Sequence, residues 1–220
     1  MRPGCRAVNY LAHLYLSGSD ADIQVGGLLG DFVKGPLRGD RPPAIEYGIQ
    51  LHRRIDSFTN RSPIYAELRP LFPTPWRRFA DIVIDIGCDH LLARRWSEFH
   101  HQPLERFCNS FYGHLHLRRH ILPPGGARHF LERAHKVRWL EGYADVDRIP
   151  RVLDHIGSRL RKPLPLGKTW SVIENNRGEF VPAFYRLMAQ LQPLAEDFLA
   201  NCPAPGYAKV AHCTFLAKQA

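Results

Sequence analysis

The chain has 220 residues, of which 45% are hydrophobic, and its 30 lysines and arginines exceed its 21 aspartates and glutamates, giving a formal net charge of +9. The length fits one domain, and the hydrophobic content supports a large core and excludes general disorder. No stretch of about 18 uncharged apolar residues occurs, so no membrane span is predicted. The basic balance indicates an acidic partner, such as a nucleic acid, an anionic membrane surface or an acidic protein.

The cysteines and the amino-terminal segment together indicate a cytoplasmic protein. The five cysteines form no CxxC pair and are odd in number, so reduced thiols are predicted and a structural zinc site is not. The opening apolar run is short, contains His13 and lacks a cleavage pattern, so no export signal is predicted. Residues 1–7 are predicted to be an extension, residues 8–200 the domain, and residues 201–220 a tail.

The first predicted elements are a short apolar segment, residues 9–16, and a helix over residues 21–33. His13 is the one imidazole of the first segment, and Asp20 suits the N-cap of the helix. Three glycines within the helix lower its stability by roughly 1 kcal/mol each against alanine, which predicts close approach to another helix or a ligand. They are Gly26, Gly27 and Gly30. Asp31 follows them directly, between apolar neighbours.

The next predicted helix, residues 43–60, brings an imidazole and a carboxylate onto one face. His52 and Asp56 are four residues apart, which places their side chains one helical turn apart. Arg53 and Arg54 lie in the same turns. Such a group can hold a divalent metal near a phosphate, although an ordinary surface ion pair has the same spacing.

A third predicted helix, residues 75–98, is apolar around nearly its whole circumference, which is typical of a helix buried on all sides. Asp85 and Asp89 nevertheless lie on one face of it, with His90 adjacent. Buried carboxylates are costly unless they are paired, protonated or bound to a metal. The pattern therefore predicts either metal ligands or internal ion pairs with arginines. Oxygen and imidazole donors without thiolate favour Mn²⁺, Mg²⁺ or Fe²⁺.

The remaining chain also has helical periodicity, and no strand series, hairpin signal or internal repeat is evident. Further helices are predicted over residues 103–120, 127–143, 145–161 and 169–200. The last of these contains Pro182 and Pro193, which are expected to kink or split it. The sequence therefore predicts a single all-α domain.

Five motifs in this order resemble the acyl carrier protein phosphodiesterase family. They are NYLAHLYL, GGLLGDFVKG, HRRIDSFTN, RRFADIVIDIGCDHLLARRW and WLEGYADVDRIPRVLDHIGSRLR. The resemblance covers residues 9–198 and implies an HD-domain-like phosphohydrolase fold. It also implies Mn²⁺-dependent hydrolysis, with Mg²⁺ or Fe²⁺ as alternatives. The bond cut is the phosphodiester between 4′-phosphopantetheine and the serine of holo-acyl carrier protein, an acidic substrate, giving apo-acyl carrier protein and 4′-phosphopantetheine.

The resemblance also implies which residues form the site. The family's acidic and histidine positions, taken as metal ligands, fall on Asp31, His52, Asp56, Asp85, Asp89 and His90. Arg53 and Arg54 are expected to stabilise phosphoryl charge, and His13 is the candidate acid for the leaving oxygen. The docking cations for the carrier are expected to be Arg77, Arg78, Arg94 and Arg95.

One pair departs from the family pattern. Gly87 and Cys88 stand where relatives tend to carry bulky residues, and they are expected to widen the wall beside Asp89.

Two other functions fit the same features. The first is an HD-type phosphohydrolase of nucleotides, which would share the metal site. The second is a non-catalytic basic helical module that binds carrier protein or nucleic acid. Nucleic acid is the less expected partner, because the chain has no helix-turn-helix pattern, RNP-like motif or lysine-rich tail.

Overall fold

The computed structural model describes residues 10–202, apart from the side chains of residues 130 and 131. Helices joined by short 3₁₀ turns and loops make up this range, which contains no strand, and the prediction of a single all-α domain is confirmed. The helices are α1 Tyr10–Leu16, α2 Ala21–Leu29, α3 Pro43–Arg61, α4 Pro63–Leu68, α5 Ala80–Arg94, α6 Trp96–Phe99, α7 Leu104–Leu117, α8 Gly126–Ala134, α9 Ile149–Ser158, α10 Trp170–Asn175 and α11 Arg177–Ala200. The predicted extension, residues 1–7, and nearly all of the predicted tail, residues 201–220, lie outside the described residues.

The two ends of α2 determine the positions of Asp20 and Asp31. Asp20 caps α2 as predicted, since its carboxylate accepts hydrogen bonds from the backbone N–H groups of Asp22 and Ile23. The helix ends at Leu29, however, four residues earlier than predicted. Asp31 therefore lies in the turn after α2 rather than on the helix.

Glycines hold α2 and α3 in direct backbone contact. A β-carbon at Gly26 would lie 2.2 Å from the carbonyl oxygen of Ile45, and one at Gly48 would lie 2.2 Å from the carbonyl oxygen of Ile23. No residue with a side chain fits at either position without separating the helices. The close approach predicted from the glycine cluster is thus confirmed for Gly26, and it sets α3 alongside the end of α2.

Helix α5 is the central buried element, as its sequence predicts. It begins at Ala80 rather than Pro75, because residues 76–79 form a 3₁₀ turn. All but three of its residues are buried, and the exceptions are Asp81, Asp85 and Arg94. The small residue at position 87 does not widen a site wall as expected. A β-carbon there would lie 2.6 Å from the Phe180 ring, so the space is filled by α11.

The helices of the carboxyl-terminal half are shorter or more often interrupted than predicted. Helix α8 stops at Ala134, where a helix to residue 143 was expected, and α9 covers only the middle of its predicted range. The predicted helix over residues 169–200 is split at Asn176, whereas α11 continues through Pro182 and Pro193. Within residues 10–202, no helix has both the length and the apolar content needed to cross a bilayer.

Candidate metal centre

Four polar side chains from three separate segments converge in the interior. His13 comes from α1, Asp31 from the turn after α2, and His52 and Asp56 from α3. The Nε2 atom of His52 lies 3.6 Å from Oδ2 of Asp56 and 3.7 Å from Oδ1 of Asp31. The Nε2 atom of His13 lies 3.3 Å from Oδ1 of Asp56. We call these four residues the metal centre.

The two imidazoles are stacked, and a glycine makes room for them. The ring centroids of His13 and His52 are 3.8 Å apart, with 17° between the ring planes. A β-carbon at Gly30 would lie 2.2 Å from Cγ of His52. Gly30 therefore allows the His52 ring to lie directly against the end of α2, which confirms the close approach predicted there.

A backbone hydrogen bond fixes the orientation of His52. Its Nδ1 donates to the carbonyl oxygen of Gly27 at 2.7 Å. Because the proton on Nδ1 is used in this bond, the lone pair of the neutral ring is on Nε2, which faces the carboxylates. This is the arrangement that a metal-binding histidine needs.

The charges of the four groups are strongly coupled. Burial lowers the pKa of His52, but the facing carboxylates of Asp31 and Asp56 outweigh it and raise this pKa to about 9. Burial lowers the pKa of His13, and the charge of His52 lowers it further. Burial raises the pKa of Asp56, but the facing imidazoles of His13 and His52 dominate and hold it below its ordinary value. At neutral pH, His52 carries a proton between two acids, in the place suited to a cation.

The donor set fits a divalent cation. Ligand atoms of His13, His52 and Asp56 lie within 4.8 Å of one another. Oδ2 of Asp31 and Nδ1 of His13 are buried and have no hydrogen-bond partner among the described residues. Two imidazoles and two carboxylates, without thiolate, suit Mn²⁺, Fe²⁺ or Mg²⁺.

Asp89 is buried but serves another purpose. Its two carboxylate oxygens accept hydrogen bonds from the backbone N–H groups of Leu11 at 3.1 Å and Ala12 at 2.9 Å. Burial raises the pKa of Asp89 to about 8, against the effect of these two donors. The carboxylate therefore anchors the first turn of α1, the helix that carries His13.

Asp85 and His90 also have partners away from the metal centre. The hydroxyl of Tyr65 bonds to Oδ1 of Asp85 at 2.5 Å, and burial raises the pKa of Asp85 well above its ordinary value. Nδ1 of His90 donates to the carbonyl oxygen of Tyr143 at 2.8 Å, and its ring meets Trp170 edge to face. The structure thus brings Asp31, His52 and Asp56 together, but not Asp85, Asp89 and His90 with them.

The two arginines beside His52 point in different directions. The guanidinium of Arg53 donates to the carbonyl oxygen of Val33 at 2.8 Å, next to the turn that carries Asp31. The guanidinium of Arg54 lies 5.7 Å from the ring centroid of Phe198 on α11. Only Arg53 is placed by its hydrogen bond on the side of the Asp31 turn.

Three of the four expected docking arginines are engaged within the fold. Arg77 donates to backbone carbonyl oxygens of residues 70 and 72, and Arg78 lies over the ring of Phe79. Arg95 bonds to Glu98 and to the hydroxyl of Tyr185. Arg94 is exposed at the end of α5.

Sequence reasoning missed the groups that position the metal centre. The carbonyl oxygen of Gly27 and the space beside Gly30 orient the His52 ring. The backbone N–H groups of Leu11 and Ala12 in α1 donate hydrogen bonds to Asp89. In the sequence, the cluster of glycines was the one signal for the contacts at Gly27 and Gly30. Nothing in the sequence spacing connects α1 with Asp89, because 78 residues separate Leu11 from it.

Comparison with known proteins gives one consistent result. Residues 8–191 match the model of the family described as acyl carrier protein phosphodiesterase. The acyl carrier protein phosphodiesterase of Klebsiella pneumoniae subsp. pneumoniae is 33% identical over 196 residues, covering 86% of this chain and 98% of that protein. The protein of the same name from Yersinia pestis is 32% identical over 201 residues, covering 89% of this chain and 94% of that protein.

A third protein with this name, from Serratia proteamaculans, is 31% identical over 191 residues and covers 86% of this chain and 98% of its own length. No solved structure gives a significant match, so the HD-like arrangement of the helices stays a prediction. The matched residues include the whole metal centre and all of α1 to α10. The chain belongs to the acyl carrier protein phosphodiesterase family.

Proposed function

We propose that the chain is a metal-dependent phosphodiesterase that hydrolyses holo-acyl carrier protein. The bond cut joins 4′-phosphopantetheine to the carrier's serine, and the products are apo-acyl carrier protein and free 4′-phosphopantetheine. The observation that carries the proposal is the buried convergence of His13, Asp31, His52 and Asp56 inside the region that matches the family. Two carboxylates face this interior site, and either the proton on His52 or a metal that displaces it balances their charge.

The resident metal of the proposal is Mn²⁺, with Fe²⁺ or Mg²⁺ as alternatives that the same donors accept. His13, Asp31, His52 and Asp56 would hold it, which makes His13 a ligand rather than the leaving-group acid expected from the sequence. Such a cation, when bound, activates water near neutral pH and offsets charge on a phosphoryl group. Asp85, Asp89 and His90 are left out of the ligand set. Asp89 uses both carboxylate oxygens to hold α1, and the cluster of metal-competent atoms among the described residues does not include Asp85 or His90.

The protein's own residues provide orientation and charge. Gly27 holds the His52 ring by its carbonyl, and Asp89 holds α1 and therefore His13. Arg53 is the candidate to contact a phosphoryl oxygen, since its guanidinium already lies beside the turn of Asp31 and has donors to spare. Arg54 is assigned no contact with substrate.

The substrate of the proposal is an acidic protein, and the chain's net charge of +9 supports its attraction. A cytoplasmic setting is consistent with Cys88 and Cys108, which are buried free thiols. The nucleotide phosphohydrolase remains the second candidate, because a metal centre of this kind does not by itself distinguish the two substrates.

The experiment is incubation of the purified protein with holo carrier and Mn²⁺, followed by mass measurement of the carrier. Loss of the prosthetic arm, blocked by chelator, is the expected result. Arg53→Gln should lower turnover by roughly 10²-fold, as expected for a phosphoryl contact, whereas the adjacent Arg54→Gln should change it little. Intact holo carrier together with hydrolysis of nucleotides in a parallel panel would replace this function with the second candidate.

A further inference from the structure

A wide groove lies between α7 and α8, outside the metal centre. Its volume is about 870 Å³. Three of the side chains that line it are permanent cations, Arg119, Arg128 and Lys136. Three more are histidines, at positions 116, 120 and 135, whereas Glu132 is the one acid in the lining. We call this feature the α7–α8 groove.

The cations of the groove are not used by the fold. Arg119, Arg128 and Lys136 are exposed, and none has a carboxylate partner within residues 10–202. Arg119 makes only a bond to a backbone carbonyl oxygen. Nearby Arg138, by contrast, pairs with Glu105 on α7. The groove thus concentrates positive charge that no ion pair within the described part of the chain neutralises.

A glycine keeps the floor of the groove open. Gly113 lies inside α7 and lines the groove, and a β-carbon added there would meet no atom within 4 Å. The helical glycines Gly26, Gly48 and Gly87 each accommodate a neighbouring residue of the chain. Glycine is disfavoured inside a helix relative to alanine, and no side chain that the structure describes contacts position 113. The open space at Gly113 leaves room for an external group to approach the backbone of α7 closely.

The groove is fixed to the segment that carries the metal centre. Phe32 follows Asp31, and a β-carbon at Gly126, the first residue of α8, would lie 2.6 Å from the Phe32 ring. Arg118, at the end of α7, forms an ion pair with Asp22 in the first turn of α2. Both walls of the groove are therefore attached to the ends of the helix that precedes Asp31.

We propose that the α7–α8 groove is the docking site for an acidic face of the holo carrier protein. This inference rests on the proposed function, since it takes the carrier as substrate. Charge complementarity is the argument for this occupant: unpaired cations surround an open floor of a size that accepts several acidic side chains. The proposal assigns docking to this groove instead of to Arg77, Arg78, Arg94 and Arg95, the four arginines expected from the sequence.

The first test reverses the charge of the groove. The triple variant Arg119→Glu, Arg128→Glu, Lys136→Glu is compared with a control of equal charge change, Arg151→Glu, Arg159→Glu, Lys162→Glu, whose positions are exposed and lie outside the groove. We expect the groove variant to raise KM for holo carrier about tenfold more than the control at low salt, with kcat nearly unchanged. Mn²⁺ affinity and hydrolysis of bis(p-nitrophenyl) phosphate should match the wild type in both variants.

The second test fills the groove without changing charge. Gly113→Gln places a side chain in open space at a helical position that tolerates it, so the fold should persist. We expect KM for holo carrier to rise several-fold, because the glutamine side chain would prevent close contact between the carrier and α7. Hydrolysis of bis(p-nitrophenyl) phosphate should be unchanged. Gly178→Gln, at the other helical glycine with open space, is the control and should leave KM unchanged.

The outcomes separate this inference from the proposed function. If the wild type converts holo carrier but the groove variants behave like their controls, docking lies elsewhere and only this inference fails. If the wild type does not cut holo carrier, the proposed function fails first. If charge reversal abolishes binding of an RNA duplex while KM for carrier is unchanged, the groove is a nucleic-acid surface and the inference is wrong.

Discussion

The metal centre and helix α5 are both buried and rich in polar groups, but their polar atoms are satisfied in different ways. Asp85, Asp89 and His90 on α5 each bond to a hydroxyl or backbone group of the fold. In the metal centre, carboxylates and imidazoles face one another, and Oδ2 of Asp31 has no partner among the described residues. A single bond to a backbone carbonyl oxygen, which His52 and His90 both make, does not distinguish the two regions. Convergence of several donor atoms, together with a buried oxygen that has no partner among the described residues, does indicate a ligand.

The largest expected effect comes from one substitution made in each region. Asp56→Asn removes a carboxylate that faces both histidines, whereas Asp85→Asn leaves a polar group beside Tyr65. Turnover of holo carrier should fall by more than about 100-fold in the first variant, since even outer-shell partners of a metal account for 10–100-fold. Asp85→Asn should keep turnover within about threefold of the wild-type value. Steady-state kinetics measures both, and equal losses would erase the distinction between the regions.

The affinity of the metal centre for a cation should also depend on pH. The pKa of His52 is about 9 without a metal, so its Nε2 is protonated at neutral pH and the proton competes with the cation. Affinity for Mn²⁺ should therefore rise with pH, by about tenfold per unit and about 100-fold between pH 6 and pH 8. Calorimetric titration measures the slope. A flat profile would mean that no proton leaves the site when the metal enters.

Removal of Asp89 should damage stability more than chemistry. In Asp89→Ala, the backbone N–H groups of Leu11 and Ala12 lose their acceptor in the interior. We expect the free energy of unfolding to fall by about 2 kcal/mol, the cost of leaving buried donors unsatisfied. Urea denaturation measures this loss. Variant enzyme saturated with Mn²⁺ should still turn over, and complete inactivity with unchanged stability would place Asp89 in the metal centre instead.

The smallest expected effect compares two glycines. A methyl group at Gly30 would collide with the His52 ring, whereas one at Gly113 would enter open space. Gly30→Ala should weaken Mn²⁺ binding about tenfold, in line with the loss of a group that orients a ligand. Gly113→Ala should leave Mn²⁺ binding unchanged and stabilise the helix by up to about 1 kcal/mol. Metal titration and thermal unfolding distinguish these outcomes, and equal Mn²⁺ affinities would show that Gly30 has no part in orienting His52.

The sequence predicts the helices well because their signals are local. Asp20 caps α2, the i to i+4 spacing of His52 and Asp56 gives one face of α3, and the apolar run of α5 gives a buried helix. The ends of helices were less predictable: α8 stops at Ala134 and the last predicted helix is split at Asn176.

The site was only partly predictable for a related reason. Spacing identifies which residues are metal-competent, but it does not say which of them the fold will pair elsewhere. Asp89 and Asp56 look equivalent in sequence, and only the packing of α1 on α5 gives Asp89 its two backbone donors. The same packing brings His13 to the metal centre, a role that spacing along the chain cannot reveal.

The most direct test of the account is the metal content of the purified protein and of two histidine variants. Elemental analysis after loading with Mn²⁺ and removal of the excess should find at least about one equivalent in the wild type and in His90→Gln, and far less in His52→Gln. Wild-type protein that retains no Mn²⁺, Fe²⁺ or Mg²⁺, or a His52→Gln variant that retains as much as the wild type, would contradict the assignment of this site to a cation.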